Sequence, residues 1–541
     1  MKKTRTGLGA IAVVGTAALV LTGCASGSDD SGDSASGDSS AVITTNGNEP
    51  QNPLIPSNTT EVGGGKIIDS IFAGLISYDA EGASVNDVAD SISSDDNQNW
   101  DVTIREGLTF TDGTDVTAES FTKAWNWAAQ LSNAQGGSYF FDDIEGFSYD
   151  ADSDLALEVV SPTEFTVQLS APEADWPLRL GYSAFAPLPE AFYDDTAAFG
   201  ENPIGNGPYK LDGEGAWTHN QDIKLVTKED YDGPRAPKNG GLTIKFYTTQ
   251  DAAYADAQSG NLDILDAVPD SAFSSYKDDF PDSNVNQPAA IFQSITIPQY
   301  LEHFDGSTDE GKLRRQAISL AINREDITKV IFQDTRTPAK DFTSPVIDGY
   351  SEDLEGSDVL EYNKSEAKKL WDEADAISPY GDTTFSIGYN ADGGHQAWVD
   401  AASNSIADTL GIKAQGKSYP DFKGLLDEEE NDAMTGAFRS GWQADYPSLY
   451  NFLAPLYQTG AGSNYGRYSS DQFDTLIKDG SQATSVDDAN DKFQQAQEVL
   501  LEDLPVIPLW YSNVTGVYAD TVSNVEFGWN SVPLYYEVTK N

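Results

Sequence analysis

"WDVTIREGLTFTDGTDVTAESFTKAWNWA", residues 100–128, reads as a strand, a turn and a helix in one unbroken run. Residue types alternate over 100–110 with the period of a strand, and Thr111-Asp112-Gly113-Thr114 then supplies a turn. Thr117-Ala118-Glu119-Ser120 resembles an N-terminal cap, after which Phe121, Ala124, Trp125 and Ala128 recur at helical spacing. The same signals continue outward. Residues 163–172 read as a strand closed by proline and 242–247 as a short one, with a helix expected over 251–258. Helices are expected over 312–322, 364–374 and 396–410, and a strand over 384–389. Interleaving of this kind predicts an α/β protein with more than one sheet.

The chain has 541 residues, 39% of them hydrophobic and 11% aromatic, ample material for a large core. That length exceeds the roughly 250–300 residues at which single cores stop growing, so two or three lobes are expected. A formal net charge of −55 argues against nucleic acid and against docking on anionic lipid through basic patches. The acids are spread along the chain as on a solvated surface, with Asp427-Glu428-Glu429-Glu430 the main run.

The start of the chain has a different character. Lys2, Lys3 and Arg5 precede a run, residues 8–23, that is apolar or small throughout, the layout of a secretory signal. At about 16 residues this run is short of the roughly 20 that a membrane-spanning helix needs. Leu21-Thr22-Gly23-Cys24 resembles the bacterial lipobox, in which the cysteine sulfur is lipidated and the signal, residues 1–23, is removed. Consumption of the thiol by lipid would explain why Cys24 is the only cysteine; an ordinary secretory signal is the alternative. Residues 25–40 contain no apolar side chain larger than alanine, so 24–40 is expected to be a flexible tether reaching on the order of 20 Å. The folded body is expected to begin near Ala41.

No catalytic apparatus emerges. The three histidines, His219, His303 and His395, are dispersed and no HExxH occurs, so neither a metal nor a cofactor is expected. Neither GxSxG nor a Walker A loop is present. Ser120-Phe121-Thr122-Lys123 matches S-x-x-K, but the companion motifs of penicillin-recognising enzymes are missing. Gly205-Asn206-Gly207-Pro208 and Asp150-Ala151-Asp152-Ser153-Asp154 lack the residues of a dinucleotide loop and a calcium loop, and read as turns.

Four stretches in one order resemble a known family. They are residues 100–128, "NPIGNGPYKL" (202–211), "LRRQAISLAINREDI" (313–327) and "GWQADYPSLYNFLAPL" (441–456). Together they are similar to motifs of the oligopeptide- and dipeptide-binding lipoproteins of ABC transporters, the family 5 extracellular solute-binding proteins. Asn206 and Asn323 depart from the family's usual threonine and aspartate, and Ser448-Leu449 stand where a proline is frequent. The resemblance implies a two-lobed, periplasmic-binding-protein-like α/β clam of three domains. A discontinuous first lobe would comprise 41–75, 203–288 and 509–541, an extra domain 76–202, and the opposing lobe 289–508, with hinge strands near the ends of the last. It further implies a receptor and not an enzyme, a monomer outside the cytoplasm that is anchored to the bacterial cell membrane by lipid. Short peptides and the permease subunits of an importer would be its partners.

A receptor for many peptides must read what peptides share, a main chain and charged ends. In Gly441-Trp442-Gln443-Ala444-Asp445, the glycine permits close backbone approach, Gln443 offers its own N–H and C=O, and Asp445 supplies a carboxylate. The resemblance assigns Asp445 to the ligand's amino terminus, the alternative being a cap on the loop before Pro447. It assigns Arg439 and His395 to the ligand's carboxylate, the alternatives being a salt bridge on a strand and an exposed loop histidine. Trp442 and Tyr446 would wall the cleft or belong to the core. Relatives of this fold also bind oligosaccharides, nickel or opines, and a lipid-anchored hydrolase or an adhesive protein are rivals from other classes. The acid at position 445 favours a primary amine over a sugar.

Overall fold

The computed structural model describes residues 38–420 and 422–541. The expected signal, the expected lipid acceptor Cys24 and most of the expected tether fall outside the described residues. No helix among the described residues is long and apolar enough to cross a membrane.

The strand of residues 100–128 forms as Asn99–Ile104 and the helix as Ala118–Ala129. The strand stops at Ile104 rather than Phe110 because Gly107, at φ 79°, turns the chain into a loop that an isolated Thr109–Asp115 bridge then closes. The cap forms as expected: Ser120 Oγ accepts the Thr117 N–H at 3.1 Å. The helix drives Phe121 and Trp125, both fully buried, onto Phe165 of the strand Glu164–Gln168, at ring distances of 5.9 and 5.7 Å. A four-stranded antiparallel sheet results, in the order Ala89–Ser94, Asn99–Ile104, Glu164–Gln168, Leu157–Ser161.

Apart from two two-stranded sheets, the remaining strands are joined by two long strands into a single twelve-stranded sheet. Asn284–Thr296 and Val506–Tyr518, 13 residues each, lie antiparallel at its centre. On one side follow Ile264–Leu265, Val42–Gly47, Gly241–Phe246, Asp222–Thr227 and Tyr209–Leu211; on the other, Ala437–Gln443, Thr384–Asn390 and Lys413–Tyr419. The register between the two long strands breaks between Pro288 and Phe292, so each has one half in either flank of the sheet.

Two large apolar cores sit on either side of that break. One gathers Ile43, Ile67, Phe121, Trp125, Ile223 and Val538, and the other Phe292, Ile318, Trp398, Phe452, Phe493 and Trp510. The arginines of residues 313–327 tie the second core to the long strands. Arg315 is fully buried and donates to the carbonyls of Ile297 (2.8 Å), Leu504 (3.0 Å) and Pro505 (3.2 Å), just beyond the end of one strand and before the start of the other. Arg324 donates to Pro508 O at 2.8 Å within the second strand. Burial pulls both guanidinium groups down to about 9, which leaves them cationic at neutral pH.

Two of the departures from the family motifs, Asn206 and Asn323, have local causes. A Cβ on Gly205 would lie 1.9 Å from Ile71 O, so backbones touch there, and Asn206 locks the contact by bonding Ala73 through both its amide atoms at 3.0 and 2.9 Å. Asn323 caps the helix Arg324–Val330, accepting the Asp326 N–H at 3.2 Å.

Candidate ligand-binding cleft

Strand pairing carries the chain into the site. Ala437–Gln443 pairs antiparallel with the first long strand from Phe438↔Thr296 to Gln443↔Ile291. Its other edge pairs only through Ala437 and Phe438, so no strand among the described residues covers that edge at 440–443. Ala444 then donates its N–H to Ala290 O at 3.0 Å, inside the register break, while the Ala290 N–H bonds Trp529 O at 2.9 Å.

Asp445 leaves the sheet and is held by Asn451, a buried residue of the helix Leu449–Tyr457. Asn451 Oδ1 accepts the Asp445 N–H at 2.9 Å and the Trp442 indole N–H at 3.0 Å, and its amide donates to Asp445 Oδ2 at 3.2 Å. Burial raises the Asp445 carboxyl from its ordinary 3.8 to about 6, against which only the Asn451 bond acts. No described lysine or arginine offsets it: this is an anion awaiting a countercharge.

Gln443, Ala444 and Asp445 form one wall of a cavity of about 490 Å³. The rest of the lining comes from residues distant in sequence, among them Lys66 and Asp69 of the helix Val62–Ile71, then Tyr78, Tyr182, Arg235 and Trp529. Both cations there are occupied. Lys66 is paired with Asp266, and Arg235 with Asp87 at 3.0 Å.

The description "bacterial extracellular solute-binding proteins, family 5 Middle" matches residues 84–464. The chain belongs to that family. Family 5 proteins are binding receptors, not enzymes, and the S-x-x-K residues agree: Ser120 caps a helix and Lys123 is bound to Glu190 at 2.6 Å. The oligopeptide-binding protein OppA of Bacillus subtilis is 23% identical over 532 residues, 94% of either chain. The periplasmic OppA of Salmonella typhimurium is 26% identical over 525 residues, 91% of either. In fold, the chain is similar to the unliganded open form of the periplasmic murein tripeptide-binding protein MppA, with a TM-score of 0.79 and 20% identity over 93% of this chain and 98% of that one.

The other candidate residues of this family 5 protein lie off the cavity wall. Arg439, Gly441 and Gln443 share one face of their strand by the two-residue period. Arg439 Nε donates to Asn390 Oδ1 at 2.8 Å, and its guanidinium lies 4.7 Å from the Phe422 ring. The histidine of the loop after Asn390, His395, accepts the Trp398 indole N–H at 3.1 Å on Nδ1. Trp442 directs its indole N–H to Asn451 and is not on the wall. The expectation that Tyr446 walls the cleft is corrected: it is 4% exposed and packs into the first core under Arg179, 5.1 Å away. Arg179, bound to Glu173 and Asp143, draws the ring there, and the neighbouring Ser448 hydroxyl bonds Asp175 at 2.5 Å.

Sequence reasoning missed this distant part of the lining. One available signal was Gly63-Gly64-Gly65 in the first turn of a helix: Gly65 lines the cavity and a Cβ there would meet nothing within 4 Å. Among the described residues no group of three or more His, Cys, Asp or Glu is placed to hold a metal.

Proposed function

We propose that this family 5 protein is the receptor of an ABC importer, capturing short peptides between closing lobes and delivering them unaltered to the permease. Asp445 takes the amino terminus, the strand edge at 440–443 pairs with the peptide backbone, and Arg439 and His395 receive the far carboxylate. The observation that carries this reading is the Asp445 carboxylate on a cavity wall with no cation beside it. Arg439 stands six residues earlier, on the strand Ala437–Gln443 that leads into Asp445. The names of the relatives, binders of oligopeptides and a murein tripeptide, support the same class.

The lobes are 41–75 with 203–288 and 509–541, and 289–508, with 76–202 as the extra domain. The two cores and the register break between Pro288 and Phe292 support rotation about the long strands. Cys24 carries the lipid that keeps the protein beside its permease. Isothermal titration calorimetry with di- to pentapeptides is the test: saturable heat that Asp445→Asn weakens is expected. Silence toward peptides with binding of an oligosaccharide would replace this reading by a sugar receptor on the same fold.

A further inference from the structure

The cavity holds more negative charge than one amino terminus would neutralise. Asp69 lines the same cavity as the 443–445 segment, and no described group donates a hydrogen bond to its carboxylate. Arg235, the cation that acts on Asp69, sends its hydrogen bonds elsewhere than to that carboxylate: Nε donates to Asp87 at 3.0 Å, while Nη1 and Nη2 donate to the carbonyls of Asp69 and Phe72 at 2.6 and 2.9 Å. Lys66, three residues before Asp69, is spent on Asp266. Asp69 is an exposed residue of its helix, so its carboxylate is open to a ligand in that space. Asp69 and Asp445 each act on the phenols of both Tyr78 and Tyr182, so the two carboxylates border one space.

The walls of that space suit a cation on an apolar stem. Tyr182 stacks on Phe140 at 4.1 Å, and Tyr78 meets the Trp529 ring edge-on at 5.5 Å. Rings held in this way cover methylene groups and favour a cation at their faces.

We propose that Asp69 is a second anionic subsite, which selects peptides with a lysine or arginine side chain at the first or second residue. The inference rests on the peptide reading above. In it the ligand brings two positive charges, the ammonium to Asp445 and the side chain to Asp69, while the stem lies against Tyr78 and Tyr182.

The test compares Lys-Ala-Ala and Ala-Lys-Ala with the same peptides carrying norleucine, which keeps the stem and lacks the charge, by calorimetry at pH 7.5. At least one lysine peptide is expected to bind about ten-fold more tightly than its norleucine partner. In Asp69→Asn that ratio should fall toward one, and binding of the norleucine peptide reports that the variant is folded. A ratio near one in the unaltered protein, or one that survives in Asp69→Asn, overturns the subsite and leaves the peptide reading standing. If none of the four peptides binds the unaltered protein, the peptide reading fails and this inference with it.

Discussion

Asp445 is held in place and left uncompensated, and both facts have measurable consequences. Charge-assisted hydrogen bonds contribute about 1.5–3 kcal/mol, so Asp445→Asn should weaken peptide binding ten- to a hundred-fold by calorimetry. Affinity should also fall as pH drops through about 6, where the carboxyl of the empty site takes up its proton. In the empty protein the sign is opposite. A folded value near 6 above an ordinary 3.8 means the folded state binds the extra proton between these values, so stability declines as pH rises from about 4 to about 6. Asp445→Asn should therefore stabilise the ligand-free protein at pH 7.5 by about 1–2 kcal/mol, allowing for partial exposure, and hardly at all at pH 4. Thermal melts at the two pH values check this. Asp445 was legible as a candidate because Gly-Trp-Gln-Ala-Asp is local; Asp69 was not, because only the fold brings it to the same cavity as Asp445.

At the scale of elements, the strand–turn–helix of residues 99–129 was legible because period and cap act within a few residues. The expected helix at 396–410 forms with those same bounds, Gln396–Leu410. The fusion of the lobes into one sheet was not legible, since pairing of Asn284–Thr296 with Val506–Tyr518 joins segments more than two hundred residues apart. Nor could the sequence tell that Arg315 is a buried staple rather than a surface charge. Arg315→Ala would strand carbonyls at the ends of both long strands. It should cost about 3 kcal/mol or more in denaturant unfolding. Arg315→Lys, with fewer donors in a different geometry, should recover only part of that.

For the whole molecule, the lipid anchor and the closing motion are the properties to test. Mass spectrometry of the protein from bacterial membranes should find a diacylglyceryl group on Cys24, and Cys24→Ala should move the protein into the medium. Small-angle scattering should record a smaller radius of gyration with a saturating peptide than without. The family and the two-lobed class were legible from four motifs because their order survives at low identity. The contact of Tyr446 with Arg179 was not, being a meeting of segments that no motif joins.

One residue lies where the proposed grip and the proposed pivot would meet. Ala290, in the register break, gives its carbonyl to Ala444, next to Asp445, and its N–H to Trp529 of the cavity lining. If the proposed capture and closure hold, seizing a guest at Asp445 would tug on the axle itself, and the angle of the jaws would become a record of whether they are full. A transporter that gauges only that angle could distinguish laden from vacant carriers without ever touching the cargo.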